Sequence, residues 1–151
     1  MNPVRSLSRP LMATMFIYGA VDSLRDPEPK AKKAGPVLDK LSEAVPSLPL
    51  ERVQMVQANA AVQLGAGLML ATGRMPRLSA LMLAGSLVPT TAAGHRFWEE
   101  DDPSSVAQQR IHFLKNLSML GGLLAAVSQP RSPRRKRRQA RVKAAKAKSH
   151  S

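Results

Sequence analysis

The chain has 151 residues, with 23 Lys and Arg against 10 Asp and Glu, and no cysteine. That length is one domain with room for a tail, and the missing thiols exclude a disulfide framework, a thiol redox centre and any Cys-ligated zinc or iron–sulfur site. The net charge of +13 points first to nucleic acid, but ten of the basic residues lie from Arg131 onward with no acid among them, so the first 130 residues hold 13 basic against 10 acidic.

Residues 1–9 contain Arg5 and Arg9 and lack a small-residue cleavage site. They read as a cytoplasmic N-terminus leading into a retained helix, not as a removed signal peptide. The apolar stretch Met12 to Val21 lies between Arg9 and Asp22 and predicts a first helix over about 10–24. Next comes "RDPEPKAKKAGP", a Pro- and charge-rich segment expected to be irregular. "VLDKLSEAV" then sets Val37, Leu38, Leu41 and Val45 at helical spacing, with Asp39, Lys40, Ser42 and Glu43 opposite. This is a short amphipathic helix, either on a membrane surface or over the mouth of a bundle; the plain alternative is a solvent-facing linker helix.

Ser47 as N-cap and Pro49 early in the helix predict a second long helix over 49–74. Within it, Val53 to Gly73 is 21 residues without an ionisable group. That meets the ~20 residues needed to cross the hydrocarbon of a bilayer. Ala61 and Gly65 form a small-xxx-small pair of the kind that lets membrane helices approach closely. "RMPR" makes a tight hairpin into a third helix over 76–95, whose Leu78 to Gly94 segment is again uncharged for 17 residues. Pro89 is expected to kink it. "GHRFWEEDDP" follows, with Phe97 and Trp98 suited to a membrane–water interface and four acids forming an outer turn. Asp102 and Pro103 start a last helix over 103–129. Its uncharged core is Asn116 to Pro130, and the apolar character reaches Ile111 if His112 and Lys115 are tolerated.

The expected fold is therefore all-α, a four-helix transmembrane bundle with a short amphipathic helix in the first loop, spanning 10–129. A soluble bundle is the competing class, but a soluble helix keeps one charged face, which the 21- and 17-residue segments lack. Residues 130–151 form a basic tail with no core-forming pattern, expected to be disordered and to meet anionic lipid at the membrane surface; salt-sensitive contact with nucleic acid is the second option for it. Four spans place both termini on one side. The positive-inside rule makes that side the cytoplasm of a plasma (inner) membrane protein, with Arg5, Arg9, Arg74, Arg77 and the tail inside. Six basic residues in the first loop, from Arg25 to Arg52, oppose this assignment and five acids partly offset them.

Polar side chains inside apolar helices are costly, so their positions are informative. Gln108, His112, Lys115 and Asn116 fall on one face of the last helix, and Asn59 and Gln63 on one face of the second. With Asp22, expected to approach Lys115 or Arg110, and with His95 and Arg96, they define a candidate polar pocket: Asp22, Asn59, Gln63, His95, Arg96, Arg110, His112, Lys115 and Asn116. It suits a quinone head group or a proton path; interhelical hydrogen bonding that sets register is the structural alternative. No Gly-rich phosphate loop, nucleophile elbow or HExxH is present, and so no catalytic or metal-binding residue is assigned.

The stretches "RPLMATMFIYGAVDSLRDPEPKAKKAGPV", "VQANAAVQLGAGLMLATGRMPRLSALMLAGSLVPTTAAGHRFWEEDDP" and "QQRIHFLKNLSMLGGLLAA" resemble the DoxX family of bacterial integral membrane proteins, in particular its actinobacterial members. The resemblance runs from about Arg9 to Ala126, and the pairing of "GHRFW" with "FLKNLSMLGG" is its most specific part. It implies a four-helix membrane bundle. It also implies a setting in quinone-coupled sulfur oxidation or in a membrane-associated oxidoreductase complex that counters oxidative stress. The expected function is a non-catalytic membrane subunit of such a redox complex, with a quinone as the cofactor to consider. Membrane lipids, redox-enzyme subunits and a second copy of the chain are the expected partners. A small transporter or a lipid- or quinone-handling protein is the second class, and a soluble basic nucleic-acid binder the third.

Overall fold

The computed structural model describes residues 3–45 and 51–128. Ser47, Pro49 and the basic tail lie outside the described residues. Five helices follow in order: α1 (Pro3–Arg25), α2 (Glu28–Ala44), α3 (Arg52–Ala71), α4 (Pro76–Gly94) and α5 (Pro103–Ser128). A 3-10 turn, Phe97–Glu99, lies between α4 and α5. The class is all-α, with no strand among the described residues.

Four long helices pack in the order α1, α3, α4, α5, and α2 lies against α3 and α4. The first pair runs antiparallel through small residues. Gly67 of α3 meets Ile17 and the Ala13 carbonyl of α1, and Gly73 at the far end of α3 meets the Arg9 guanidinium. A Cβ on Gly67 would stand 2.9 Å from Ile17 Cγ1, so only glycine allows this approach. The pair singled out from sequence, Ala61 and Gly65, is exposed. The small residues that α3 buries are Ala60, Ala66 and Gly67.

Several boundaries differ from expectation. α1 begins at Pro3 and runs through Pro10. A proline inside a helix removes one backbone donor. The α2 helix starts at Glu28 and takes in the Pro- and charge-rich stretch expected to be irregular. Pro29 sits in the first turn, where its missing N–H is no loss, and Ala-Lys-Lys-Ala favours helix. Lys30 ties the start of α2 to the end of α1 by donating to the carbonyls of Asp22 and Asp26, both at 3.3 Å. α3 begins three residues late. Its N-cap is Glu51, and the Glu51 amide donates to Gln54 Oε1 at 3.0 Å in a reciprocal capping box.

The α3–α4 hairpin is the expected tight one. Gly73 has φ +70° and Met75 φ 47°, so a non-glycine residue sits in the left-handed region, at a cost of ~1–2 kcal/mol. Ser79 is fully buried beneath it and donates to the carbonyls of Arg74 and Met75. At the start of α5, the Ser105 amide donates to Asp102 Oδ2 at 2.9 Å, and the Ser104 hydroxyl donates to the same oxygen. These two bonds, the hydroxyl first, hold the Asp102 carboxyl below the ordinary range.

The surface of the bundle carries many large hydrophobic side chains. Among the described residues, 20 large hydrophobic side chains are exposed, from Val4, Leu7, Leu11, Met15 and Tyr18 along α1 to Ile111, Leu114, Leu117 and Leu124 along α5. The buried hydrophobics include only six large ones, Phe16, Met55, Leu70, Leu83, Leu87 and Leu123, with alanine making up the rest. Gln63, Ser79, Ser86 and Asn116 are buried with them. Among the described residues one helix, α5, is long and apolar enough to cross a membrane by length and composition, and 11% of its apolar window is buried in the protein. α5 thus turns its apolar surface outward, unlike the core helix of a soluble fold.

Candidate functional site

The end of the bundle away from the Gly73 hairpin is open. A cavity of about 520 Å³ lies between the last turns of α1, the first half of α3, the last turns of α4 and the middle of α5. α2 covers it with Ala34, Val37, Leu38 and Leu41. Helical spacing seen in the sequence accounts for this face; the ion pair that anchors α2 was not anticipated. Arg52 of α3 grips Asp39 of α2 with two parallel bonds of 2.9 and 2.7 Å. Gly35 leaves room for the same guanidinium.

One wall is a hydrogen-bonded polar ladder. Asn59 and Gln63, one turn apart on α3, face Ser86 and Thr90, one turn apart on α4. Gln63 donates to Ser86 Oγ at 2.7 Å, and Ser86 donates to Asn59 Oδ1 at 2.7 Å. Asn59 and Gln63 each reach Thr90 Oγ1 at 3.4 Å. Asn116 of α5 donates to Thr91 of α4 at 3.0 Å. Among the described residues no buried side-chain nitrogen or oxygen lacks a partner. The polar faces of α3 and α5 therefore each bond to α4 rather than to one another. Ser86, Thr90 and Thr91 were not foreseen, although Ser86 and Thr90 show the same four-residue spacing.

The mouth is a cluster of basic groups. His95, which follows the last residue of α4, stacks on His112 of α5 with ring centroids 5.1 Å apart and planes 17° apart. Gln109 Oε1 lies 2.8 Å from His95 Nδ1. A carboxamide oxygen only accepts, so Nδ1 of His95 bears the proton. His112 Nδ1 lies 3.3 Å from Lys115 Nζ, an ammonium that only donates. Burial lowers the His95 pKa below the ordinary imidazole value. His112, Lys33 and Lys115 push the same way, and the Gln109 bond partly opposes them.

Of the nine candidate residues, Asp22, Asn59, Gln63, His95, Lys115 and Asn116 line the cavity. Arg96, Arg110 and His112 do not line it. His112 stands behind His95, and Arg110 is exposed, as is Gln108. Arg96 pairs with Glu99 at 2.7 Å and donates to the Lys33 carbonyl at 3.5 Å, fastening the turn after α4 to α2. Asp22 pairs with Lys30 at 2.8 Å, not with Lys115 or Arg110. Its partner comes from α2 because that helix starts immediately after α1. Lys30 and Lys33 line the cavity too; they sit in the stretch read as irregular, which hid them. Phe97, Trp98 and Phe113 form an edge-to-face aromatic cluster beside the mouth, with centroids 5.1 to 6.3 Å apart.

Compared with known protein families, the chain matches the DoxX model over residues 5–96. It belongs to the DoxX family. The match takes in α1 to α4 and ends at Arg96, so α5 lies beyond it. No curated protein and no solved structure matches the chain. Membership of the DoxX family agrees with the outward apolar surface and suggests a membrane protein.

Proposed function

We propose that this DoxX-family chain crosses the plasma membrane four times, through α1, α3, α4 and α5, with both termini in the cytoplasm. In this reading it holds a lipophilic ligand with a polar head, of quinone type, as a non-catalytic subunit of a redox or oxidative-stress complex. One observation carries the proposal: a largely apolar cavity of about 520 Å³ with one polar wall, inside a bundle that exposes many large hydrophobic side chains. The size lies within the ~300–1,000 Å³ of small-molecule sites, and an apolar exterior with polar groups inward suits lipid. In this arrangement Arg9, Arg74 and Arg77 and the tail face the cytoplasm, the tail against anionic lipid. The cavity mouth and the Phe97–Trp98–Phe113 cluster lie at the outer interface.

Carbonate extraction of a membrane fraction is the first test. The protein stays in the pellet; release by high pH and salt would sink the membrane reading. Affinity purification in mild detergent is the second. A stoichiometric redox enzyme supports the subunit role. The basic mouth of the cavity favours a second reading, a small transporter or lipid-handling protein, and a lone protein or homo-oligomer with bound lipid supports that.

A further inference from the structure

The charges around the cavity do not balance. Among the described residues Asp22 is the one carboxylate in its lining, and Lys30 pairs with it at 2.8 Å. Lys33 and Lys115 also line the cavity and meet no carboxylate among the described residues. They come from different helices, yet both are placed beside His95: Lys115 Nζ is 3.3 Å from His112, whose ring stacks on His95, and the Lys33 carbonyl accepts from Arg96, the residue after His95. Both are exposed, at the rim. Below the rim the lining turns apolar, with Phe16, Met55, Val56 and Met119.

We propose that the cavity binds a single-chain amphipathic anion, a long-chain carboxylate, with its head between Lys33 and Lys115 and its chain among Phe16, Met55 and Met119. This rests on the reading of the cavity as a ligand site and changes the ligand. Two cationic ammonium groups at the entrance of an apolar chamber complement a carboxylate on a hydrocarbon chain. A neutral quinone head offers no charge to either lysine. A two-chain phospholipid is larger than the chamber.

The test uses the full chain purified in mild detergent and three probes of similar lipophilicity: oleate, oleyl alcohol and decylubiquinone. Oleate should bind at least tenfold more tightly than the other two. In Lys33→Gln/Lys115→Gln, oleate affinity should fall at least tenfold and oleyl alcohol affinity should hold, showing that the chamber persists. Equal binding of all three probes, or oleate binding indifferent to the lysine changes, overturns the proposal and leaves a ligand cavity of another chemistry. Displacement of oleate by dioleoylphosphatidylglycerol in nanodiscs at equal affinity overturns the single-chain assignment. Failure of every probe to bind overturns both this inference and the ligand-site reading on which it rests.

Discussion

The two ends of this bundle are made of similar amino acids and behave in opposite ways. At the hairpin end, Gly67, Leu70, Ala80, Leu83 and Leu123 close the space between α1, α3, α4 and α5. At the other end the same helices diverge around about 520 Å³, and α2 is added as a cover. The difference is in what bridges the helices. Where glycine and alanine lie between backbones, the helices touch directly. Where Asn59, Gln63, Ser86, Thr90 and Asn116 stand between them, hydrogen-bonded side chains hold the helices together and leave room beside them. A closed half thus supplies rigidity and an open half supplies volume.

The largest test of that contrast is a pair of leucines on α4, one turn apart. Leu83 is fully buried in the closed half, and Leu87, at the edge of the same core, also lines the cavity. Leu83→Ala should cost about 2–5 kcal/mol, the range for emptying a close-packed site. Leu87→Ala should cost clearly less, because one side of that leucine already lacks neighbours to lose. Thermal unfolding in one detergent compares the two; equal losses would mean that the halves do not differ in packing. Gly67→Leu comes next. The new side chain would meet Ile17 and the Ala13 backbone at the closest approach of α1 and α3, and should cost ~1–3 kcal/mol. Gly65→Leu, with nothing within 4 Å of the added Cβ, should be nearly silent. Gln63→Leu probes the open half. It removes the donor to Ser86 and Thr90 while the Ser86–Asn59 bond remains, so the loss should be near 1 kcal/mol.

Element type was readable from the sequence wherever a long uncharged run fixed it, as in α3 and α4, and the Asp102–Pro103 start of α5 was readable from capping chemistry. The α2 helix was only half seen. Proline and charge density mark a loop when read alone, but Pro29 falls in a first turn, and Lys30 finds Asp22 only once α1 has ended beside it. The cavity residues on α3 and α5 stood out because Asn, Gln and Lys are rare in apolar surroundings. Their partners Ser86, Thr90 and Thr91 did not, since a hydroxyl in a helix can bond its own backbone, as Thr90 does to the Ser86 carbonyl at 2.7 Å. Gln108 and Gln109 are adjacent and both fit the spacing of that face, Gln109 lying three residues before His112 and seven before Asn116; it is Gln109 that meets His95.

The smallest expected effect concerns pH, and it again separates the two ends. His95 at the mouth has a pKa depressed mainly by burial, with His112 stacked on it and Lys33 and Lys115 adding repulsion. A depressed histidine is neutral when folded, so the unfolded chain binds the extra proton first. Its contribution is a loss of stability that sets in as pH falls through the unfolded value of about 6.5 and levels off below the folded pKa. His95→Asn removes the titrating ring. The stability difference between pH 7.5 and 5.5 should therefore shrink in that variant relative to the parent, and a bound anion should shrink it in the parent, because a carboxylate beside His95 favours the protonated ring that burial opposes. In Gly67→Leu, placed at the closed end, the pH dependence should match that of the parent while overall stability falls. An unchanged pH response in His95→Asn would show that the mouth does not differ electrostatically from the closed end.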